Sequence, residues 1–170
     1  IFIINEGKIS KVNKIFFIGN ENYSNFKLRS LIKSKQQNLF RIFGGENYKA
    51  YQVSNDKIKI INFYKNNGFR DIDVSLQTEF VTEKNKFNIY FYINEGDKYF
   101  INKIDLNLEN LSLNPDDSNK ILEINNEFFD KKIKKSNFYS IEKLNNLKEI
   151  LSDNLYSLGT YFFDIIVYEK

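Results

Sequence analysis

The spacing of apolar residues changes several times along this chain, and each change predicts a helix or a strand. A run of β-branched and aromatic residues, Val12–Ile18, is followed by Gly19-Asn20, which is typical of a strand that ends in a turn. Ser24 is a suitable N-cap for a helix over about Asn25–Ser34, where apolar residues recur at helical spacing. The pattern therefore predicts a strand and then a helix.

A second helix and two strands are predicted next. Apolar residues recur near helical spacing from Ala50 to Tyr64, and Asn67-Gly68 is typical of a helix C-terminus. The period then becomes two, so that apolar and polar side chains alternate over Ile72–Phe80 and again over Phe87–Ile93. The predicted element order in this part of the chain is β-α-α-β-β.

The second half of the chain predicts a similar but shorter series. Its clearest element is a helix with one apolar stripe, ended by Gly159. The predicted elements are a strand over Tyr99–Leu108, a weak helix over about Ser118–Ile124, a loop holding Phe128-Phe129, the helix Ile141–Leu158 and a strand over Tyr161–Val167.

Two short motifs occur twice at one separation. Ile-Asn-Glu-Gly stands at positions 4 and 93, and Asn-Lys-Ile stands at positions 13 and 102, so that both pairs are 89 residues apart. This spacing favours a string of small domains over a solenoid, whose repeats are about 20–45 residues. We therefore predict the last strand of a preceding repeat at residues 1–7, a complete domain at 8–96, and a second domain without its final strand at 97–170.

Several segments together resemble the polypeptide-transport-associated (POTRA) domain family. The matching segments are Val12–Asn20, Tyr23–Leu28, Phe63–Asp71 and Ile93–Gly96. The resemblance implies an α+β fold of tandem small domains, each with two helices packed on a three-stranded mixed sheet. The aromatic segment at residues 39–45 resembles a loop of the third domain in a five-domain array, which would make residues 97–170 part of the fourth. The second copy departs from the motif, because Glu109-Asn110 stands where Gly-Asn is expected.

The strand Ile72–Phe80 is the candidate functional element. A three-stranded sheet has two edges with unpaired backbone groups, to which an extended peptide can add. Asp71, Asp73, Gln77 and Glu79 give this strand a polar face that discourages unwanted pairing, and the resemblance also implies that the middle strand lies at an edge. The predicted binding residues are Ile72, Asp73, Val74, Ser75, Leu76, Gln77, Thr78 and Phe80. The alternative is an ordinary sheet strand with a solvated face.

Composition argues against most catalytic chemistry. The chain has no His and no Cys, so the commonest general base, thiol nucleophiles and most zinc sites are absent. Asp71 and Asp73 could form a carboxylate pair and Asp116-Asp117 could ligate calcium, but a solvated face and a helix cap explain them more simply. We therefore predict a protein that is not an enzyme and has no cofactor or metal.

Charge leaves a binding function of another class open. The net charge is +3 and the pI is about 8.8, yet the densest basic run, Lys131–Lys135, is short and is best explained as a solvated surface. A basic nucleic-acid-binding αβ module stays as an alternative, and its binding would weaken steeply with salt. The preferred hypothesis expects no nucleic acid partner.

The resemblance implies a role at the periplasmic face of a bacterial outer membrane. Such domains belong to assembly factors that receive unfolded β-barrel precursors by β-strand augmentation and dock accessory lipoproteins. The implied partners are therefore those precursors, those lipoproteins, and a C-terminal membrane β-barrel of the same protein outside this chain. A POTRA segment of a two-partner secretion porin or of an organellar homologue is the alternative within the same architecture.

Overall fold

The computed structural model of the chain describes residues 9–36 and 47–166. These residues form two compact units, the first from residues 9–36, 47–64 and 71–97 and the second from 65–70 and 98–166. The main elements are β1 (Lys11–Ile18), α1 (Asn25–Leu31), α2 (Ala50–Lys65), β2 (Asp73–Val81), β3 (Lys86–Asn94), α3 (Pro115–Phe128) and α4 (Ile141–Ser157). The strand predicted at residues 1–7 and the aromatic segment at 39–45 lie outside the described residues.

The first unit contains a three-stranded mixed sheet in the order β1-β3-β2. β1 pairs with β3 in parallel, and β2 pairs with β3 antiparallel. β2 and β3 are joined by a turn of 3₁₀-helix, Thr82–Lys84, closed by Asn85 in the left-handed conformation at φ 48°. The last strand in sequence is therefore the central strand, and the predicted α+β architecture of two helices and three strands is confirmed.

Alternation places one face of this sheet in the core. The buried side chains of each strand never occupy neighbouring positions, so they lie on one face of the sheet. They include Val12, Phe17, Val74, Ile89 and Phe91. The helices contribute buried residues from their apolar stripes: Leu28 from α1, and Val53, Ile60 and Tyr64 from α2. Among the described residues, α1 and α2 thus bury their side chains on this face, and we call the opposite face of the sheet the helix-free face.

The first helix begins where the sequence predicts and ends earlier. The Oγ of Ser24 accepts a hydrogen bond from the backbone N–H of Lys27 at 3.2 Å, as an N-cap does. The helix ends at Leu31 because the carboxylate of Asp56, which is fully buried, accepts the N–H groups of Lys33 and Ser34 at 2.8 Å each. A contact from another helix therefore sets this boundary.

The second unit is built on α3 and α4. Asn114 caps α3 by accepting from the N–H of Asp117 at 2.8 Å, and Ser140 caps α4 by accepting from the N–H of Lys143 at 3.3 Å. The core of the unit consists of Ile121, Phe128, Ile133, Leu147, Leu151 and Leu155.

The first helix of the second unit is present but longer than predicted, and the loop predicted after it was wrong. The helix runs over Pro115–Phe128 rather than only Ser118–Ile124, and the predicted loop at Phe128-Phe129 is helical. Phe128 ends α3, and Phe129 begins a π-helical turn that reaches Ile133. The helix continues because Phe128 and Ile133 are both buried in the core, which a break at this point would prevent.

Two predicted strands of the second unit were also wrong within the described residues. Residues 101–108 and 160–166 form no strand, and residue 167 lies outside the described part. The only bridge nearby is an isolated one between Phe100 and Phe138. In the first unit, β1 and β2 both pair with β3, which is the central strand of the sheet. Residues 98–166 of the second unit contain no strand that corresponds to β3. Apolar side chains of both segments still pack half-buried against the core.

Candidate strand-addition edge

β2 lies at the edge of the sheet. Within the described residues, β2 pairs only with β3, in an unbroken register from Asp73 opposite Asn94 to Val81 opposite Lys86. Seven of the eight residues predicted to bind a peptide lie in β2, and Ile72 directly precedes it. The structure thus places the predicted residues together on one edge strand.

The outer side of β2 has no backbone partner within residues 9–36 and 47–166. In an antiparallel pair, every second residue directs its N–H and C=O away from its partner strand. Among residues 9–36 and 47–166, no hydrogen bond to the backbone of Asp73–Val81 is formed outside the ladder with β3. These groups are therefore accessible to an added strand.

β1, at the opposite edge, is partly closed by the chain itself. The N–H of Ile15 donates to Oε1 of Gln36 at 3.2 Å, and Nη2 of Arg29 donates to the carbonyl oxygen of Ile15 at 3.2 Å. At the start of the strand, the N–H of Tyr48 donates to the carbonyl oxygen of Ser10 at 2.8 Å. The two edges of the sheet therefore differ, and only β2 presents a continuous open row in the described structure.

The side chains of β2 form two rows of different character. On the helix side, exposure rises along the strand: Val74 is 0% exposed, Leu76 is half-buried, Thr78 is exposed and Phe80 is 46% exposed. We call Thr78 and Phe80 the open apolar end. The other row consists of Asp73, Ser75, Gln77 and Glu79, all exposed, as the sequence predicted.

An aromatic cluster continues from the open apolar end. The rings of Phe80 and Phe87 are 5.0 Å apart, and Tyr48 stacks on Phe87 at 4.1 Å with an interplanar angle of 22°. Sequence reasoning missed this cluster, although Phe80 and Phe87 flank the predicted turn and must lie opposite each other in a hairpin. Tyr48 comes from a segment whose position no local pattern specifies.

The carboxylate of Glu79 is held by neutral donors. Nδ2 of Asn88 donates to it at 3.0 Å and the hydroxyl of Tyr90 at 2.7 Å. These two hydrogen bonds lower the pKa of Glu79. The hydrogen bond between Glu79 and Tyr90 also raises the pKa of Tyr90. Glu79 is therefore ionised at neutral pH, and no described cation forms an ion pair with it.

The helix-free face of the sheet carries an aromatic stripe that sequence reasoning also missed. Phe16 stacks on Tyr90 at 4.8 Å, and Tyr90 lies 6.3 Å from Tyr92, which is 40% exposed. The signal was present in the alternation of β3, whose tyrosines occupy the positions between its buried residues.

The repeated Ile-Asn-Glu-Gly motif has a structural role in the first unit. Glu95 is buried, and its Oε1 accepts a hydrogen bond from the hydroxyl of Tyr64 at 2.6 Å. The backbone N–H of Asn22 donates to both carboxylate oxygens at 3.1 Å. The carboxylate therefore ties the end of β3 to α2 and to the turn after β1.

The other acidic residues that the sequence singled out do not gather into a metal site. Asp117 takes part in capping α3, where Nδ2 of Asn114 donates to its Oδ2 at 2.7 Å. Among the described residues, no group of three or more acidic side chains is placed to hold a metal ion. Within the same residues, no helix has the length and apolar character needed to cross a membrane.

Comparison with known proteins decides the family. The sequence model of the POTRA family, described as a surface antigen variable number repeat, matches residues 10–96. This chain belongs to the POTRA family. The resemblance predicted from the sequence motifs is confirmed.

Relatives of this POTRA chain include outer membrane protein assembly factors named BamA. The protein from Buchnera aphidicola is 29% identical over 107 residues, which cover 62% of this chain and 17% of that protein. The protein from Neisseria meningitidis serogroup B is 30% identical over 107 residues, which cover 61% of this chain and 13% of that protein. The chain thus spans less than a fifth of the length of either relative.

Solved POTRA structures share the fold. The structure of POTRA domains 3–5 of Haemophilus influenzae BamA matches with a TM-score of 0.65 and 20% identity, over 91% of this chain and 57% of that one. POTRA domains 1–2 of Omp85 from Anabaena match with a TM-score of 0.51 and 12% identity, over 91% of this chain and 83% of that one. At these identities the likeness shows the fold alone.

Proposed function

We propose that this chain is a periplasmic part of an outer-membrane protein assembly factor, and that it receives unfolded β-barrel precursors by strand addition to β2. The open row of backbone groups along Asp73–Val81 carries the proposal. The names of the BamA relatives support the setting at the outer membrane and the class of client. Docking of accessory lipoproteins belongs to the same proposal and rests on the resemblance to the POTRA family alone.

The proposal extends to the organisation of the chain. Residues 8–96 would form one POTRA domain, with the end of a preceding domain at 1–7 and part of a following domain at 97–170. In this setting the chain has no catalytic role. Its task is to receive clients and pass them on, while a membrane β-barrel of the same protein inserts them.

Strand addition suits a client that must be passed on. Every second residue of the nine-residue β2 directs both its N–H and its C=O outward, so a guest that pairs along about half of the strand forms about four or five backbone hydrogen bonds with it. Each contributes about 0.5–1.5 kcal/mol, and ordering the guest offsets part of the sum. The remaining few kcal/mol correspond to dissociation constants of roughly millimolar to micromolar. Backbone pairing also accepts many client sequences.

The difference between the two edges makes the proposal specific to β2. A guest at β1 would have to displace Gln36 and Arg29 from Ile15 before pairing there. A guest at β2 displaces no described segment. The exposed side chains of Asp73 and Glu79 explain how an open edge avoids pairing with other copies of the chain, since like charges repel.

The test is an NMR titration of the 170-residue chain. The probe is a peptide of nine residues, the length of β2, in which phenylalanine or valine alternates with lysine or threonine. It carries a nitroxide label at one end. We expect paramagnetic broadening to be stronger for amides of residues 73–81 than for those of residues 11–18, which lie about 10 Å farther from the guest. Stronger broadening at β1, or at no preferred strand, would contradict the proposal.

A backbone-methylated peptide isolates the main-chain contribution. Methylation of its central amides removes the donors that an added strand needs and leaves every side chain in place. The methylated peptide is expected to lose binding at β2. If it binds as well as the unmodified peptide, the interaction is not strand addition and the proposal fails.

A further inference from the structure

The two rows of β2 side chains have a consequence for the kind of strand that the edge selects. Side chains opposite each other on neighbouring strands lie on the same face of a sheet. A guest residue opposite Phe80 or Thr78 therefore lies on the helix side, and one opposite Glu79 or Gln77 lies on the helix-free face.

The helix side of the edge is open only at one end. Val74 is fully buried, so a guest side chain next to it meets surface that the first unit already covers. Thr78 is exposed and Phe80 is 46% exposed, and Phe80 continues into the rings of Phe87 and Tyr48. A guest side chain at this open apolar end gains aromatic contact area that is otherwise in water.

The row of β2 side chains on the helix-free face carries negative charge. Asp73 and Glu79 are exposed, and no basic residue occurs in β2. Glu79 stays ionised because its hydrogen bonds come from the neutral groups of Asn88 and Tyr90. A guest side chain on this face is thus favoured when it is polar or basic.

We propose that the edge selects amphipathic strands in one orientation, with the apolar face of the guest toward Phe80 and a polar or basic face toward Glu79. The occupant is an extended segment of alternating apolar and polar residues from an unfolded polypeptide. This inference rests on the proposed strand addition and goes further, because it makes the side chains of the guest, and not only its backbone, part of recognition.

The test compares two peptides by fluorescence anisotropy with the 170-residue chain. One is the alternating peptide used above, and the other has the same composition with apolar and polar residues in blocks. The alternating peptide is expected to bind about fivefold or more tightly, because only it can place every apolar side chain on one face. Equal affinities would overturn the inference.

Variants of the chain assign the preference to named residues. Phe80→Ser is expected to reduce the preference for the alternating peptide about fivefold, whereas Phe26→Ser, at a residue 85% exposed on α1, is expected to leave it unchanged. Glu79→Lys is expected to weaken binding of the basic alternating peptide, with Glu21→Lys, outside the sheet, as its control. No effect of Phe80→Ser on the preference would overturn the inference.

A variant that binds the peptide more tightly cannot owe its effect to unfolding. Thr78→Phe adds an aromatic side chain at the open apolar end and is expected to tighten binding of the alternating peptide severalfold. Unchanged or weaker binding would count against the inference. If backbone methylation abolishes binding while Phe80 and Thr78 prove irrelevant, only this inference fails. If methylation has no effect, the proposed strand addition fails with it.

Discussion

The hydroxyl of Tyr64 donates a 2.6 Å hydrogen bond to Oε1 of Glu95, and both side chains are buried. The contact joins the core face of α2 to the end of β3, the central strand of the sheet. Since β3 is the only described strand that pairs with β2, this buried contact helps to position the edge strand on which the proposed function depends.

Removal of the Tyr64 hydroxyl should destabilise the first unit. Tyr64→Phe removes a hydrogen bond to the buried Glu95 carboxylate and leaves its Oε1 with only the backbone N–H of Asn22, which costs about 1–3 kcal/mol of unfolding free energy. Urea denaturation at pH 7 measures this loss. Tyr51→Phe on the same helix, at a residue 65% exposed, is the matched control and should have little effect. Equal effects of the two variants would contradict the role given to this contact.

The same pair predicts a loss of stability at high pH. Burial raises the pKa of Tyr64, and the hydrogen bond and charge of Glu95 raise it further. The stabilisation is complete below the unfolded pKa of about 10 and is lost as the pH rises from there toward the folded pKa. The stability gap between the native chain and Tyr64→Phe should therefore narrow between about pH 9 and 11. A gap that stays constant over this range would show that Tyr64 ionises equally in both states.

Asp56 should contribute stability that acid removes. Burial acts to raise the pKa of Asp56, but hydrogen bonds from Lys33, Lys59 and Ser34 outweigh it and lower the pKa. Asp56→Asn directs an amide N–H at another donor and should lower the free energy of unfolding by about 2–3 kcal/mol at pH 7. Asp73→Asn, on the exposed edge, is the control and should change it little.

The pH dependence of this loss has a definite sign. A lowered folded pKa gives stability that is complete above the unfolded pKa of about 4 and is lost as the pH falls below it. The difference between the native chain and Asp56→Asn, measured by urea denaturation, should shrink from pH 6 to pH 3. A difference that grows toward acid pH would contradict the assignment.

Gly19 should tolerate substitution less than Gly96, although both have positive φ. A Cβ at Gly19, where φ is +87°, would lie 2.2 Å from the carbonyl oxygen of Ile93, whereas one at Gly96, at φ +64°, meets atoms no closer than 3.6 Å. Gly96→Ala should lower the free energy of unfolding by about 1–2 kcal/mol, because alanine is less stable than glycine at positive φ. Gly19→Ala adds a clash with backbone and should cost clearly more. Similar midpoints for the two variants in urea denaturation would show that the turn shifts freely.

Much of the first unit could be predicted from sequence because its signals are local. Alternation over residues 72–80, the N-cap Ser24 and the glycines that end elements all specify structure within a few neighbouring residues. The strand at the edge was also expected, from its polar row and from the resemblance to the POTRA family.

The features that were missed depend on residues far apart in sequence. Gln36 and Arg29 close β1 by reaching Ile15, and Tyr48 completes the cluster at Phe87. No local pattern specifies such contacts. The second unit shows the same limit, because alternation over 101–108 cannot form a strand without a partner to pair with.

Amide hydrogen exchange of the chain with and without the alternating peptide tests the open β2 edge most directly. Every second amide of Asp73–Val81 is expected to exchange rapidly in the free chain. With the peptide at ten times its dissociation constant, those amides should slow about tenfold, while amides of β1 stay unchanged. If all β2 amides are protected in the free chain, or if the peptide leaves them unchanged, the edge is not the binding surface.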